Sequence, residues 1–278
     1  MTQWLLVDAN HRVAVAADPA GTGAEPTPVW VGDSFLAGHG VDLESAVTAE
    51  VYGGRAVLVP ELEPAWTLER GETSVPLHWV APRYLGRCRP VEEGVALLRH
   101  RQAFRFDPRD GSPLQYDAAG RVASGASGRP VFPRIDPAVI GVVERPRVDG
   151  DGDGDQPAIL LAENRRRPGY YSLIAGYVDP GETPEEAFAR EVLEETGRRI
   201  TGIQYVASQP WPVSGSLMLG FRASAVDLDP VAETDGELAE VRWATRGEIR
   251  AGALPLPLAA PGSIAHRMIT AWVEGDHD

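Results

Sequence analysis

The chain has 278 residues, 43% hydrophobic and 24% charged, with a formal net charge of −14 and a single cysteine, Cys88. This is the composition of an ordinary globular protein with room for two domains. It excludes an intrachain disulfide and a thiolate zinc cage, a membrane helix of about 18 or more apolar residues, and binding to nucleic acid through a generally basic surface.

The opening MTQWLLVDANHR has neither the basic start nor the long apolar core of a signal peptide, so the expected location is the cytoplasm. Over residues 1–95, short runs such as WLLVD, RVAVA, AVTAEVYG and RAVLVP are broken by Gly, Pro and Asp, which predicts a β-rich domain. His11, His39 and His78 stand alone there and read as surface or core residues, because a working histidine needs a partner. Residues 91–104 carry apolar positions at helical spacing and predict a helix linking two domains. A loop-rich stretch follows and runs into FPRIDPAVI, residues 132–140, with a strand expected over 138–144. Asp149, Asp151, Asp153 and Gly154 are similar to the start of a calcium loop, but Leu160 stands at its twelfth position and strands flank it, so a hairpin loop is the better reading. Strands are expected over 159–162 and 171–175; Arg165, Arg166 and Arg167 between them could meet phosphate but read better as solvated.

The rest of the chain is organised around residues 176–197, GYVDPGETPEEAFAREVLEETG. Thr183 can cap a helix, Pro184 suits its first position, Glu186 completes a capping box and Gly197 offers the stop. At about 100° per residue, Phe188, Ala189, Val192 and Leu193 share one face, and Glu191, Glu194 and Glu195 cluster on another. Like charges so placed repel. Arg190 or a hard divalent ion could compensate them, and a hard ion takes oxygen ligands and keeps waters and phosphates in its shell.

This stretch resembles the Nudix box, G-x5-E-x7-R-E-U-x-E-E-x-G-U with U apolar. It matches at Gly176, Glu182, Arg190, Glu191, Val192, Glu194, Glu195 and Gly197, and departs only at the last position, where Arg198 stands with Ile200 close by. Two further stretches are similar to the NADH pyrophosphatase subfamily. FPRIDPAVI matches that subfamily's YPR-x-DPAVI. SQPWP at residues 208–212, with Ser216, matches S-Q-P-W-P-F-P-x-S, although Val213 and Ser214 replace the Phe and Pro. The subfamily's four zinc cysteines are replaced by Asp107, Asp110, Ser124 and Ser127, poor structural zinc ligands. The expectation is a ribbon-like fold without zinc, held by packing and hydrogen bonds, with a weak metal site on Asp107 and Asp110 as the lesser alternative.

The resemblance implies an α+β chain with a β-rich N-terminal domain (1–95), a helix and degenerate zinc-ribbon-like segment (96–131) and a C-terminal Nudix α/β/α sandwich (132–278). It implies Mg²⁺ or Mn²⁺ on Glu191, Glu195, Glu237, the Ala175 carbonyl and Glu194, with Glu240 competing for the place of Glu237. Glu194 is the leading base, Arg190 orients the glutamates and Glu182 orients its loop. The dinucleotide would lie against Gln209, Pro210, Trp211, Pro212, Val213, Ser214, Gly215, Ser216, Phe132, Tyr177 and the stretch 263–265, Ala265 included. The implied reaction is hydrolysis of NADH or NAD⁺ to the nicotinamide mononucleotide and AMP by a homodimer that needs no membrane. The alternatives are NAD-capped RNA, ADP-ribose or dinucleoside polyphosphates as substrate, or a nucleotide-binding module without catalysis.

Overall fold

The computed structural model describes residues 2–16, 26–59, 66–70, 73–145 and 156–275; the calcium-like stretch around Asp149 to Gly154 lies outside them. The described chain divides into two compact units, one comprising residues up to 135 together with 211–215, the other residues 136–210 and 216 onward. No described helix is long and apolar enough to cross a membrane.

In the first unit the short apolar runs form one sheet from β1 (Trp4–Asp8), β2 (Val13–Ala16), β3 (Trp30–Val31), β4 (Thr48–Val51), β5 (Gly54–Val59), β6 (Thr67–Arg70) and β7 (Thr73–Val80), with helices α1 (Asp33–Gly38) and α2 (Arg89–Ala103). The order is β4-β5-β1-β2-β7-β6, with β3 on β1 and only the β1–β5 pair parallel. Alternation in β1 sends Leu5 and Val7 toward α2, where Val91, Val95 and Leu98 cover them, and Trp4 and Leu6 toward α1 and its Leu36. Helix α2 therefore belongs to the core of the N-terminal sheet, and residue 95 lies inside it.

Beyond α2, β8 (Gln115–Tyr116), β9 (Ala123–Ser124) and β10 (Pro130–Val131) make a small antiparallel sheet over Leu114, Ala123 and Val131. Three of the four positions aligned with zinc cysteines join one hydrogen-bond network. Asp107, 1% exposed, accepts from Arg109 N at 2.9 Å and from Ser127 Oγ at 2.9 Å. Asp110 accepts from the Ser112 backbone at 2.8 Å and from Ser127 N at 2.9 Å, and Ser112 Oγ accepts from Ala126 N at 2.7 Å.

The second unit is built on β11 (Asp136–Glu144), β12 (Ala158–Asn164), β13 (Arg167–Ser172), β14 (Ile174–Tyr177), β15 (Ile200–Trp211), β16 (Ser216–Ala225) and β17 (Leu238–Thr245), with α3 (Pro184–Thr196), α4 (Arg246–Arg250) and α5 (Ile264–Glu274). The order is β13-β12-β11-β16-β15; β14 pairs with β11, β17 with β12, and β11 runs parallel to β16. Alternating residues bury the two faces. Val139, Val143, Leu160 and Ala162 meet Ala187, Phe188 and Val192 of α3, and Ile140, Val142, Ile159 and Leu161 meet Ile264, Met268, Ile269 and Trp272 of α5. Gly141 leaves the space that the Phe188 ring fills. The buried stripe of α3 is Ala187, Phe188 and Val192, while Ala189 and Leu193, expected beside them, are half-buried. Arg198, standing where the Nudix pattern has an apolar residue, is itself buried and donates to Thr196 O and Leu228 O at 2.9 Å each. Its guanidinium thus satisfies a carbonyl at the end of α3 while Ile200 packs below.

Candidate active site

Helix α3 starts at a capping box: Thr183 Oγ1 accepts from Glu186 N at 3.2 Å and the Glu186 carboxylate accepts from Thr183 N at 2.8 Å. It stops where Gly197 takes a left-handed φ of 70°. Seven residues separate Phe188 from Glu195, about 20° short of two full turns. Glu195 is thereby carried onto the buried face and is 5% exposed, while Glu191 stands about 60° to one side of Phe188 and Glu194 turns outward.

Strand β14 lies against this face. Gly176 meets Glu191 so closely that a methyl group there would overlap the Glu191 carboxyl group. Arg190 ties helix, strand and preceding loop together. Its Nε and Nη2 donate to the two oxygens of Glu182 at 2.7 and 2.9 Å, Nη1 to Glu191 at 2.9 Å and Glu194 at 3.1 Å, and Nη2 to Tyr177 O at 2.9 Å. The Arg190 hydrogen bonds hold the Glu182 carboxyl below its ordinary range, and Glu182 in turn raises Arg190. Burial pushes Glu191 up against the opposing pull of Arg190.

Glu195 is the most perturbed carboxyl of the site. Burial first, then the charges of Glu191, Glu237 and Asp235, push it up to about 8, opposed by a backbone hydrogen bond from Ala175. Its Oε2 is buried without any hydrogen-bond partner. Glu237, just before β17, faces this cluster and acts on both Glu191 and Glu195. The Glu240 carboxylate accepts the buried Tyr171 hydroxyl at 2.6 Å, and Tyr171 packs in the core cluster that includes α5. The loop that carries Glu237 is fastened to α3 through Asp235 N on Glu194 O at 2.9 Å.

Among the described residues no three Asp, Glu, His or Cys side chains are grouped so that they could hold a metal ion as they stand. The chemistry of the donors nevertheless suits a hard cation: an orphaned buried carboxylate oxygen, hard oxygens only, and more negative charge than Arg190 can neutralise. Ions that keep waters and substrate phosphates in their shell do not need a cage made of protein alone.

In this second unit, two groups of the expected substrate residues come together. The Tyr177 hydroxyl lies 3.2 Å from Ser216 Oγ, so Tyr177 reaches Arg190 through its carbonyl and Ser216 through its ring. Gln209, 3% exposed, donates from Nε2 to Gly262 O at 2.9 Å, in the turn that Ser263 caps to start α5. Ala265 follows in the first turn of α5 and is buried in the core, and half-buried Pro210 ends this part of β15. Trp211 to Gly215 belong to the first unit, as does exposed Phe132. There Gly215, with φ of 79°, closes a turn by donating to Trp211 O at 3.0 Å; Ser214 Oγ also donates to Trp211 O at 3.3 Å, Pro212 is buried and Val213 is exposed.

Sequence reasoning missed Asn164 and Asp235. Asn164 Nδ2 donates to Glu237 Oε1 at 3.0 Å, and Asp235 accepts from Glu237 N at 2.8 Å. Asp235 stood two residues from a candidate ligand, a usable signal; Asn164 lies 73 residues away and had none.

The family model described as NUDIX domain matches residues 137–272. The chain is 36% identical over 294 aligned positions to a protein of Mycobacterium bovis (strain BCG / Pasteur 1173P2) named NAD-capped RNA hydrolase NudC, covering 96% of this chain and 85% of that one. A Mycobacterium tuberculosis (strain ATCC 25618 / H37Rv) protein of the same name is 35% identical with the same coverage. A human protein named NAD-capped RNA hydrolase NUDT12 is 37% identical over 147 positions, covering 51% of this chain and 30% of that protein.

Proposed function

This chain belongs to the Nudix family, and on that premise we propose that it hydrolyses the pyrophosphate bond of NADH or NAD⁺ with Mg²⁺ or Mn²⁺. The observation that carries the proposal is the orphaned, buried Glu195 oxygen among Glu191, Glu237 and Asp235. Such a concentration of carboxylate is costly unless a cation joins it. Glu191, Glu195 and Glu237 would hold the ions, with the Ala175 carbonyl and Glu194 at the edge of the set.

When bound, divalent ions supply neutralisation of the diphosphate, a positioned water and stabilisation of the leaving oxygen. The chain's own residues do the rest. Glu194, exposed and held by Arg190 at 3.1 Å, is the base that takes the water proton. Arg190 and Glu182 fix the helix face against the loop that precedes it. Water oxygen bonds to one phosphorus, the bridging P–O bond breaks, and the products are AMP and the nicotinamide mononucleotide. Gln209, Ser216 and Tyr177 of the second unit would orient the dinucleotide. The resemblance to the NADH pyrophosphatases further supports a homodimer, and the replacement of the zinc cysteines supports a ribbon segment held without zinc by the Asp107–Asp110–Ser127 network.

The names of the mycobacterial relatives favour capped RNA as a second reading, and it uses the same bond. The test is product analysis with NADH, NAD⁺, NAD-capped RNA and ADP-ribose side by side. Cleavage of the NAD-containing substrates is expected; cleavage of ADP-ribose alone would reassign the substrate, and binding with no cleavage would make the chain a nucleotide-binding module.

A further inference from the structure

Glu237 lies on a loop, and a loop carboxylate needs something to aim it. We propose that Asn164 is the positioning residue that fixes which oxygen of Glu237 faces the α3 glutamates, an inference that rests on the reading of Glu237 as a metal ligand. Asn164 ends β12 at an irregularity: pairing with β13 shifts between Ala162 and Asn164, and pairing with β17 shifts between Glu163 and Asn164.

Both ends of its amide are committed. Asn164 Oδ1 accepts from Arg166 N at 2.9 Å, and Nδ2 donates to Glu237 Oε1 at 3.0 Å. A backbone N–H can only donate and an ionised carboxylate can only accept, so the amide has one workable orientation. The next residue grips the same peptide, with Arg165 N on Glu237 O at 3.1 Å and Arg165 Nε on Gly236 O at 2.9 Å. With Oε1 engaged by Asn164, Oε2 of Glu237 is the oxygen left for an ion shared with Glu191 and Glu195. Outer partners of ligating carboxylates typically contribute about 10–100-fold in metal affinity.

The test is Mn²⁺ binding to the full chain, read from the electron paramagnetic resonance signal of free Mn²⁺ and therefore independent of turnover. Asn164→Ala removes both hydrogen bonds. Asn164→Ser keeps an acceptor for the turn at Arg166 but cannot reach Glu237. Both variants are expected to weaken Mn²⁺ binding about tenfold or more. In a Glu237→Gln background Asn164→Ala should have no further effect, because the residue acts through Glu237. Wild-type binding in Asn164→Ser, or an equal loss in both backgrounds, overturns the inference alone. A wild-type chain that takes up no Mn²⁺ overturns the reading of Glu237 as a ligand and this inference with it.

Discussion

Arg190 grips Glu182 with two parallel hydrogen bonds, Nε on Oε1 at 2.7 Å and Nη2 on Oε2 at 2.9 Å, while its third nitrogen reaches Glu191 and Glu194. One guanidinium thus fixes the loop before α3 and two carboxylates on it. A lysine ammonium is a single point charge and cannot copy the fork. Arg190→Lys should lower turnover by roughly tenfold or more while the chain stays folded, with Mn²⁺ dependence shifted to higher concentration. Steady-state rates across a Mn²⁺ series check this; an unchanged series would show that the hub does not set the glutamates.

Gly176 is glycine because Glu191 fills the space a side chain would take. Gly176→Ala should push the Glu191 carboxyl group aside and cost about 100-fold in turnover, the scale expected when a working group moves by about 1 Å. Circular dichroism should stay near wild type. Wild-type turnover in this variant would place Glu191 outside the chemistry.

The Glu195 carboxyl is pushed up to about 8, first by burial and then by Glu191, Glu237 and Asp235. Because the folded state holds this proton more tightly than the unfolded chain, whose carboxyl titrates at about 4.5, the contribution is full below about pH 4.5 and is lost as pH rises to about 8. In a chelator, the part of the melting curve due to this site should therefore fall across that window. Mn²⁺ should raise Tm, and more at pH 8 than at pH 5.5, since a bound ion stabilises the ionised form. Glu195→Gln should abolish the pH dependence of the gain; a gain that persists unchanged would mean the ion binds elsewhere.

His100, 3% exposed and with neither ring nitrogen hydrogen-bonded, is stacked on Phe104 at 4.5 Å in the first unit. Burial first, and Arg99 second, lower its pKa. The sign is opposite to that of Glu195: its contribution is present above the unfolded histidine value of about 6.5 and is lost as pH falls below it. Thermal melts at pH 7.5 and 5.5 should show a smaller acid loss for His100→Leu than for wild type. Equal losses would remove His100 from the acid limb.

What could be read from residues alone is what local spacing dictates. The capping box at Thr183 and Glu186, the stop at Gly197 and the shared azimuth of Glu191 and Glu195 all follow from positions within one helix, and the helix has them. The Nudix assignment rested on the same spacing. Expectations weakened where partners come from distant chain. Arg198 departs from an apolar position, and only the carbonyls of Thr196 and Leu228 explain how an arginine can be buried there. The Tyr171 hydroxyl on Glu240 and the Asn164 amide on Glu237 both come from distant chain, and no spacing within residues 235–243 could have told the two glutamates apart. The helix at residues 91–104 was legible, but its packing under β1 depends on which face of a remote strand is apolar. Asn164 was invisible because a strand-end asparagine has no pattern until the carboxylate it aims is in view.

If the α3 glutamates carry metal-dependent pyrophosphate hydrolysis, their loss and the loss of the ion must each stop the reaction. The most direct measurement is chromatographic product analysis of NADH incubated with the chain and Mg²⁺ or Mn²⁺, beside Glu191→Gln. Equal amounts of the reduced mononucleotide and AMP are expected from the wild type, none in a chelator, and loss of both in the variant. Undiminished cleavage by Glu191→Gln, or by the wild type without divalent ions, would contradict it.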